Sequence, residues 1–137
     1  MIVGTGNNGT QALREHYPED NLIIEDFLPF DEVLPHADVC LTNGGYGGVI
    51  QSLKNRVPIV AVGIFEGKNE ICSRVGYFGY GIDLQSETPC AAAIRQAVQD
   101  VLGKPQYGSR AAALAAEFAA VNAEEHNAML IGQLLGA

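Results

Sequence analysis

Leu41-Thr-Asn-Gly-Gly-Tyr-Gly-Gly-Val-Ile-Gln51 runs from the end of an apolar segment, through four glycines, into a helical pattern. Glycines let backbone N–H groups approach a ligand closely, and a helix N-terminus presents unpaired N–H groups and favours negative charge. The stretch therefore reads as a diphosphate cradle at the carboxyl end of a β-strand. A tight strand-to-helix turn without a ligand has the same local composition, so the neighbouring segments decide. Val57-Pro58 comes next, then Glu66-Gly-Lys-Asn-Glu70 ahead of a second helical pattern.

Working outward, short β-rich runs alternate with helical patterns almost to the end. Met1 to Thr5 opens as a strand and breaks at Gly6-Asn-Asn-Gly9, with a short helix over 11–16. Asn21 to Phe27 reads as a buried strand, Phe30 to Pro35 as one or two helical turns, and Asp38 to Thr42 as the strand feeding the glycine loop. The helix after the loop ends near Asn55, and Pro58 to Val62 is an apolar run of strand length. Ile71, Val75 and Phe78 recur at helical spacing, predicting a helix packed by one face. Gly81 to Leu84 is a last short strand, and Thr88-Pro89 predicts a helix start with an N-cap and a proline at the first position. That helix has its stripe at Ile94, Ala97, Val98, Val101 and Leu102, and Gly103 stops it. From about Tyr107 to Leu135 the chain is alanine-rich and helical, with Leu114, Phe118 and Val121 on one face and a second stripe through Met129, Leu130 and Leu134.

Alternating β and α segments with short connections predict an α/β fold: a Rossmann-like parallel sheet with helices on both faces, followed by C-terminal helices. With no repeat, low-complexity stretch or linker, 1–137 reads as a single domain. The first strand starts at Met1 with no lead-in, a pattern that fits a chain cut from a larger unit.

Composition narrows the partners. At 137 residues, 47% hydrophobic and 18% charged, the chain has an ordinary globular balance. A net charge of −8 with no Lys/Arg cluster argues against a nucleic-acid groove. No run spans a bilayer and no basic segment leads into a cleavable apolar core, so a cytoplasmic location is expected. Cys40, Cys72 and Cys90 lack metal-ligand spacing and read as buried free thiols in a reducing compartment.

In open α/β sheets, ligands lie beyond the carboxyl ends of the strands. Gly4-Thr5-Gly6, Phe27 to Phe30, Asn43 to Gly48 and Gly63 to Lys68 all fall at such ends. Gly47, Gly48 and Gln51 share one side of their helix, which lets the Gln51 amide pair with hydroxyls near whatever the glycines hold. Lys68 stands at a helix start between Glu66 and Glu70, where a cation does not suit the helix and can serve a ligand instead. His16, His36 and His126 are scattered without a carboxylate or serine at motif spacing, so no catalytic residue is assigned. Walker A, HExxH, GxSxG and DxD patterns do not occur.

Phe27-Leu-Pro-Phe-Asp-Glu-Val-Leu-Pro-His36, Thr42-Asn-Gly-Gly-Tyr-Gly-Gly48, Gln51, Val57-Pro58 and Glu66-Gly-Lys68 together resemble the donor-binding signature of GT-B, UDP-dependent glycosyltransferases of the bacterial and fungal macrolide, flavonoid and sterol type. The resemblance covers essentially the whole chain. It implies that Phe27 stacks on the nucleotide base, with Phe30 standing where many members have Gln. Asn43 matches a His that contacts diphosphate, and Gly44, Gly45, Tyr46, Gly47 and Gly48 match the phosphate site at the helix start. Gln51 matches a Glu that holds the ribose hydroxyls. Gly67-Lys68 matches an acidic–Gln pair that reads sugar hydroxyls, with Glu66 one position earlier able to take over, and Thr5 and Gly6 complete the donor-binding set.

The resemblance further implies a chain lacking its family's first strand and helix of the donor half, and the whole N-terminal acceptor-binding half with its catalytic His. The expected co-substrate is a UDP- or TDP-sugar, with no metal and no other cofactor. Alone, such a chain binds donor weakly and transfers nothing. Three alternatives stay open: a separately encoded donor subunit of a split enzyme, a degenerate interaction module, and half of a nucleotide-sugar epimerase. An exposed flank left by a missing strand can also pair two copies into a dimer.

Overall fold

The computed structural model describes residues 1–136, the side chain of Glu124 excepted. Contacts divide it into two compact units, Met1–Val33 and everything from Leu34 onward.

The first unit comprises β1 (Ile2–Gly4), α1 (Thr10–His16), β2 (Ile23–Glu25) and α2 (Phe30–Val33). β1 and β2 run parallel, with Ile2 beside Ile23 and Gly4 beside Glu25. Arg14 fastens α1 to β2: its Nε donates to the Ile24 carbonyl at 2.8 Å and its guanidinium pairs with Glu25 at 2.7 Å. The buried strand expected over Asn21 to Phe27 is shorter, and of its three strand residues only Ile24 is buried. Successive side chains point to opposite faces, and within this unit α1 packs over only one of them.

The second unit starts with a 3₁₀ turn (Leu34–His36) and continues through β3 (Cys40–Thr42), α3 (Tyr46–Lys54), β4 (Ile59–Ala61), α4 (Lys68–Phe78), β5 (Gly81–Asp83), α5 (Ala91–Gly103), α6 (Pro105–Ala120) and α7 (Ala123–Leu135). The strands are parallel in the order β3-β4-β5. Helices cover both faces, so the central strand is apolar at every position; Ile59, Val60 and Ala61 are all 0% exposed. Ile59 and Ala61 pack with Val49, Leu53, Cys72, Val75 and Ala111, on the side of α3, α4 and α6. Val60, pointing the other way, packs with Ala97 and Val101 of α5. Among the described residues no helix is long and apolar enough to cross a membrane.

α3 closes with an αL cap: Arg56 (φ 65°) donates its N–H to Leu53 O at 3.0 Å, and Val57 donates to Ser52 O at 2.9 Å. This paired pattern satisfies two of the last carbonyls and turns the chain into β4 with Val57 buried.

Four local expectations change. α5 begins at Ala91, not at Thr88-Pro89, because Thr88 turns back to donate its N–H to Ser86 Oγ at 3.2 Å while an extended Cys90 leads into the helix. Phe78 and Leu102 are exposed although both lie on predicted stripes. Three-residue strands reach only ~10 Å, whereas helices of this length run ~16–20 Å, so the last turn outruns the sheet. The expected C-terminal helices are α6 and α7, separated at Val121, with Asn122 Oδ1 accepting the Glu125 N–H at 3.2 Å; Leu114 and Phe118 pack on the core, but Val121, Met129, Leu130 and Leu134 are exposed although they lie on predicted stripes. Of the three thiols, Cys72 is buried, Cys40 is half-buried, and Cys90 is exposed because it sits at the start of α5.

Candidate functional site

The loop after β3 is organised by its own polar side chains. Thr42 Oγ1 accepts the Gly44 N–H at 3.4 Å, and Asn43 Oδ1 accepts the Gly45 N–H at 3.2 Å. Gly45 is then the extended N-cap of α3, with no side chain capping the helix. The N–H groups of Tyr46, Gly47 and Gly48 consequently have no acceptor among the described residues. With its oxygen engaged, Asn43 keeps its amide nitrogen as a donor that makes no hydrogen bond among the described residues. Ser52, fully buried, donates to the Gly48 carbonyl at 2.8 Å and fixes the first turn. Gln51 is half-buried one turn beyond Gly47 and Gly48, and its side-chain amide makes no hydrogen bond among the described residues.

A second loop, after β4, lies against the first. Gly63 (φ 122°) packs so closely that a Cβ there would stand 2.5 Å from the Asn43 carbonyl oxygen. Glu66 (φ 57°) and Gly67 (φ 78°) both adopt the left-handed conformation, and α4 starts at Lys68. Lys68 lies beside both glycines, its Cβ 3.6 Å from a Cβ position on Gly44 and its Cδ 3.5 Å from one on Gly63. Its ammonium pairs with Glu66 at 2.8 Å. That bond raises the Lys68 pKa above its ordinary 10.5, against a smaller opposing effect of desolvation and with further help from the charges of Glu66 and Glu87. The misplaced cation at the amino end of α4 is thus held by an acidic neighbour, and the two loops bring Asn43, Gly44, Glu66, Gly67 and Lys68 together.

Thr5, Gly6, Phe27 and Phe30 belong to the first unit. The Thr5 N–H donates to Glu25 O at 2.9 Å and the Gly6 N–H to Asp26 O at 2.8 Å, so the chain leaving β1 runs beside the chain leaving β2. Thr5 Oγ1 bonds Thr10 Oγ1, and Thr10 donates to Asp26 Oδ1, tying α1 to the same end. Phe27 follows with 76% of its surface exposed, an aromatic face open to stacking, and Phe30 is partly exposed at the start of α2.

Two residues support the loops in ways the sequence does not reveal, although Cys72 reads there as a buried thiol. Cys72 lies buried beneath Gly44, in the space a side chain there would need. Glu87 accepts the N–H groups of Ile64 and Phe65 on Oε1, at 2.6 and 2.9 Å. Those bonds lower its pKa from the ordinary 4.5. No sequence signal marks the contact of Cys72 with Gly44, and Glu87 stands just before what reads as a helix start. Among the described residues no group of three or more His, Cys, Asp or Glu is arranged to hold a metal ion.

A family model for the C-terminal domain of erythromycin biosynthesis protein CIII-like proteins matches residues 2–129. Over 125 residues the chain is 36% identical to UDP-glycosyltransferase 2 of Phaeomoniella chlamydospora, covering 91% of this chain and 28% of the relative. It is 41% identical over 103 residues to 4'-demethylrebeccamycin synthase of Lentzea aerocolonigenes, covering 75% and 24%. The solved structure of CalG4, the calicheamicin glycosyltransferase, aligns with a TM-score of 0.77 at 27% identity over 85% of this chain and 30% of that one. The chain therefore spans about a quarter of the length of these curated relatives, 28% and 24%.

Proposed function

The chain belongs to the erythromycin biosynthesis protein CIII-like C-terminal domain family, the C-terminal half of GT-B glycosyltransferases, and on that premise we propose that it binds a UDP- or TDP-sugar donor through the loops described above. The observation that supports this best is the uncapped amino end of α3 behind the Asn43–Gly48 loop, three N–H groups without an acceptor among the described residues. A diphosphate satisfies those donors and the positive end of the helix dipole together.

The roles follow from position. Tyr46, Gly47 and Gly48 offer their amides, and Gly44 and Gly45 let the backbone come close; Asn43 adds its side-chain NH₂. Within the first unit taken by itself, the family resemblance assigns Phe27 to the base, together with Phe30, Thr5 and Gly6. Gln51 takes ribose hydroxyls, and Glu66, Gly67 and Lys68 read the sugar. In the parent reaction a base deprotonates an acceptor hydroxyl, which attacks the anomeric carbon with inversion as the nucleoside diphosphate leaves. Preorganised amides stabilise the charge that develops on the departing diphosphate, so the chemistry assigned to this chain needs no metal. Acceptor binding and the base are assigned to an N-terminal half, and this chain by itself binds donor without transferring sugar.

Backbone amide spectra recorded during a UDP titration test the reading. The largest shifts are expected at Asn43 and at Tyr46 to Gly48. Shifts confined to other loops would contradict the assignment.

A further inference from the structure

We propose that Glu87 is a positioning residue for this donor site: its carboxylate holds the loop that presents Glu66 and Lys68 to the donor sugar. The inference rests on the donor-binding reading and extends it to a residue in a different loop, between β5 and α5.

Three consecutive backbone donors are captured by two consecutive residues. Gly63 N–H donates to Ser86 O at 3.0 Å, and Ile64 and Phe65 N–H both donate to Glu87 Oε1 at 2.6 and 2.9 Å. Little else fastens this stretch. Phe65 is 63% exposed and Ile64 40%, and neither belongs to the buried core, so apolar burial fastens this stretch only in part. Glu66 and Gly67 then follow in left-handed conformations, which a loosened loop would abandon readily. The turn closes when Lys68 N–H donates to Phe65 O at 3.0 Å, and in this arrangement the Lys68 ammonium pairs with Glu66 at 2.8 Å. Hydrogen bonds to an ionised acceptor are the stronger kind, so one carboxylate sets where the sugar-reading pair stands.

The full chain carrying Glu87→Ala or Glu87→Gln is compared with wild type in two measurements. The first is residue-resolved amide exchange, with Ile59 to Ala61 as the internal control for intact folding. Exchange at Ile64 and Phe65 should rise about tenfold in the alanine variant, while glutamine, which keeps an acceptor oxygen, should restore most of the protection. The second is affinity for UDP-glucose against affinity for UDP. The alanine variant should weaken UDP-glucose roughly three- to tenfold and leave UDP nearly unchanged, a split that general loss of stability does not produce. Unchanged exchange at Ile64 and Phe65 overturns the proposal whatever the chain binds. Faster exchange with an unchanged UDP-glucose to UDP ratio overturns it as well, since the loop would then be held for no purpose at the site. A wild-type chain that binds neither ligand overturns the donor reading, and the role of Glu87 at the site with it, even where the exchange result stands.

Discussion

The Sγ of Cys72 stands 2.2 Å from the position that a Cβ on Gly44 would take, too close for both. The glycine loop therefore rests directly on the thiol of α4, which is 1% exposed and forms the floor of the loop. Gly44 also carries a φ of 78°, so two separate constraints exclude a larger residue.

Gly44→Ala should accordingly cost about 2–4 kcal/mol, combining left-handed strain with overpacking. Cys72→Ala in the same chain should recover the overpacking part but not the strain, giving a favourable coupling in a double-mutant cycle read from urea unfolding. Strict additivity of the two changes would show that the loop does not rest on the thiol.

This contact illustrates what was and was not legible in the sequence. The run Pro58 to Val62 could be read as a buried strand because a strand covered on both faces is apolar throughout, and β4 is such a strand. The glycine loop was equally readable, since strand end, glycines and helical pattern are contiguous. Cys72 and Glu87 act on residues far away in the chain: the Glu87 bonds span 23 and 22 positions, and no local pattern encodes them. Thr88-Pro89 shows the reverse failure. A sound local start signal lost to the tertiary bonds that hold Ser86 and Glu87 against the β4–α4 loop, and the helix began later. Met129, Leu130 and Leu134 have helical spacing, but spacing alone does not say whether a face is covered, and theirs is exposed.

Arg56 makes the cap of α3 at φ 65°, a conformation that disfavours side chains bearing a Cβ. Arg56→Gly should stabilise the chain by roughly 0.5–1 kcal/mol, because relief of strain exceeds the added freedom of the unfolded chain. A higher urea midpoint at constant slope is the expected result. A lower midpoint would mean that the arginine side chain contributes more than its backbone costs.

The Glu87 carboxyl is held below its ordinary 4.5 first by the N–H groups of Ile64 and Phe65, against a smaller effect of desolvation and with help from the Lys68 charge. Lys68 on α4 is the charged group that acts on it, and Lys68 is itself paired with Glu66. Cys72 stays a neutral thiol, its pKa raised chiefly by burial. A carboxyl with a lowered pKa in the folded state stabilises above the ordinary carboxylate range and ceases to do so as pH falls through the folded value. Lys68, raised in the folded state, changes only at alkaline pH. Protection of the Ile64 and Phe65 amides should thus be constant at neutral pH and down to the ordinary carboxylate value of 4.5, and should fall as the pH drops through the lower folded value. In Glu87→Gln it should be flat across the whole range, and a wild-type profile with no acid limb would contradict the assignment.

The most direct test of donor binding is a calorimetric titration of the folded chain with UDP and with TDP, alongside Gln51→Ala. Saturable binding of at least one nucleotide, weakened roughly three- to tenfold by the substitution, is the expected result, in line with loss of one or two neutral hydrogen bonds to the ribose. Absence of heat with both nucleotides in a sample whose core amides are fully protected, or binding untouched by Gln51→Ala, would contradict the site as assigned.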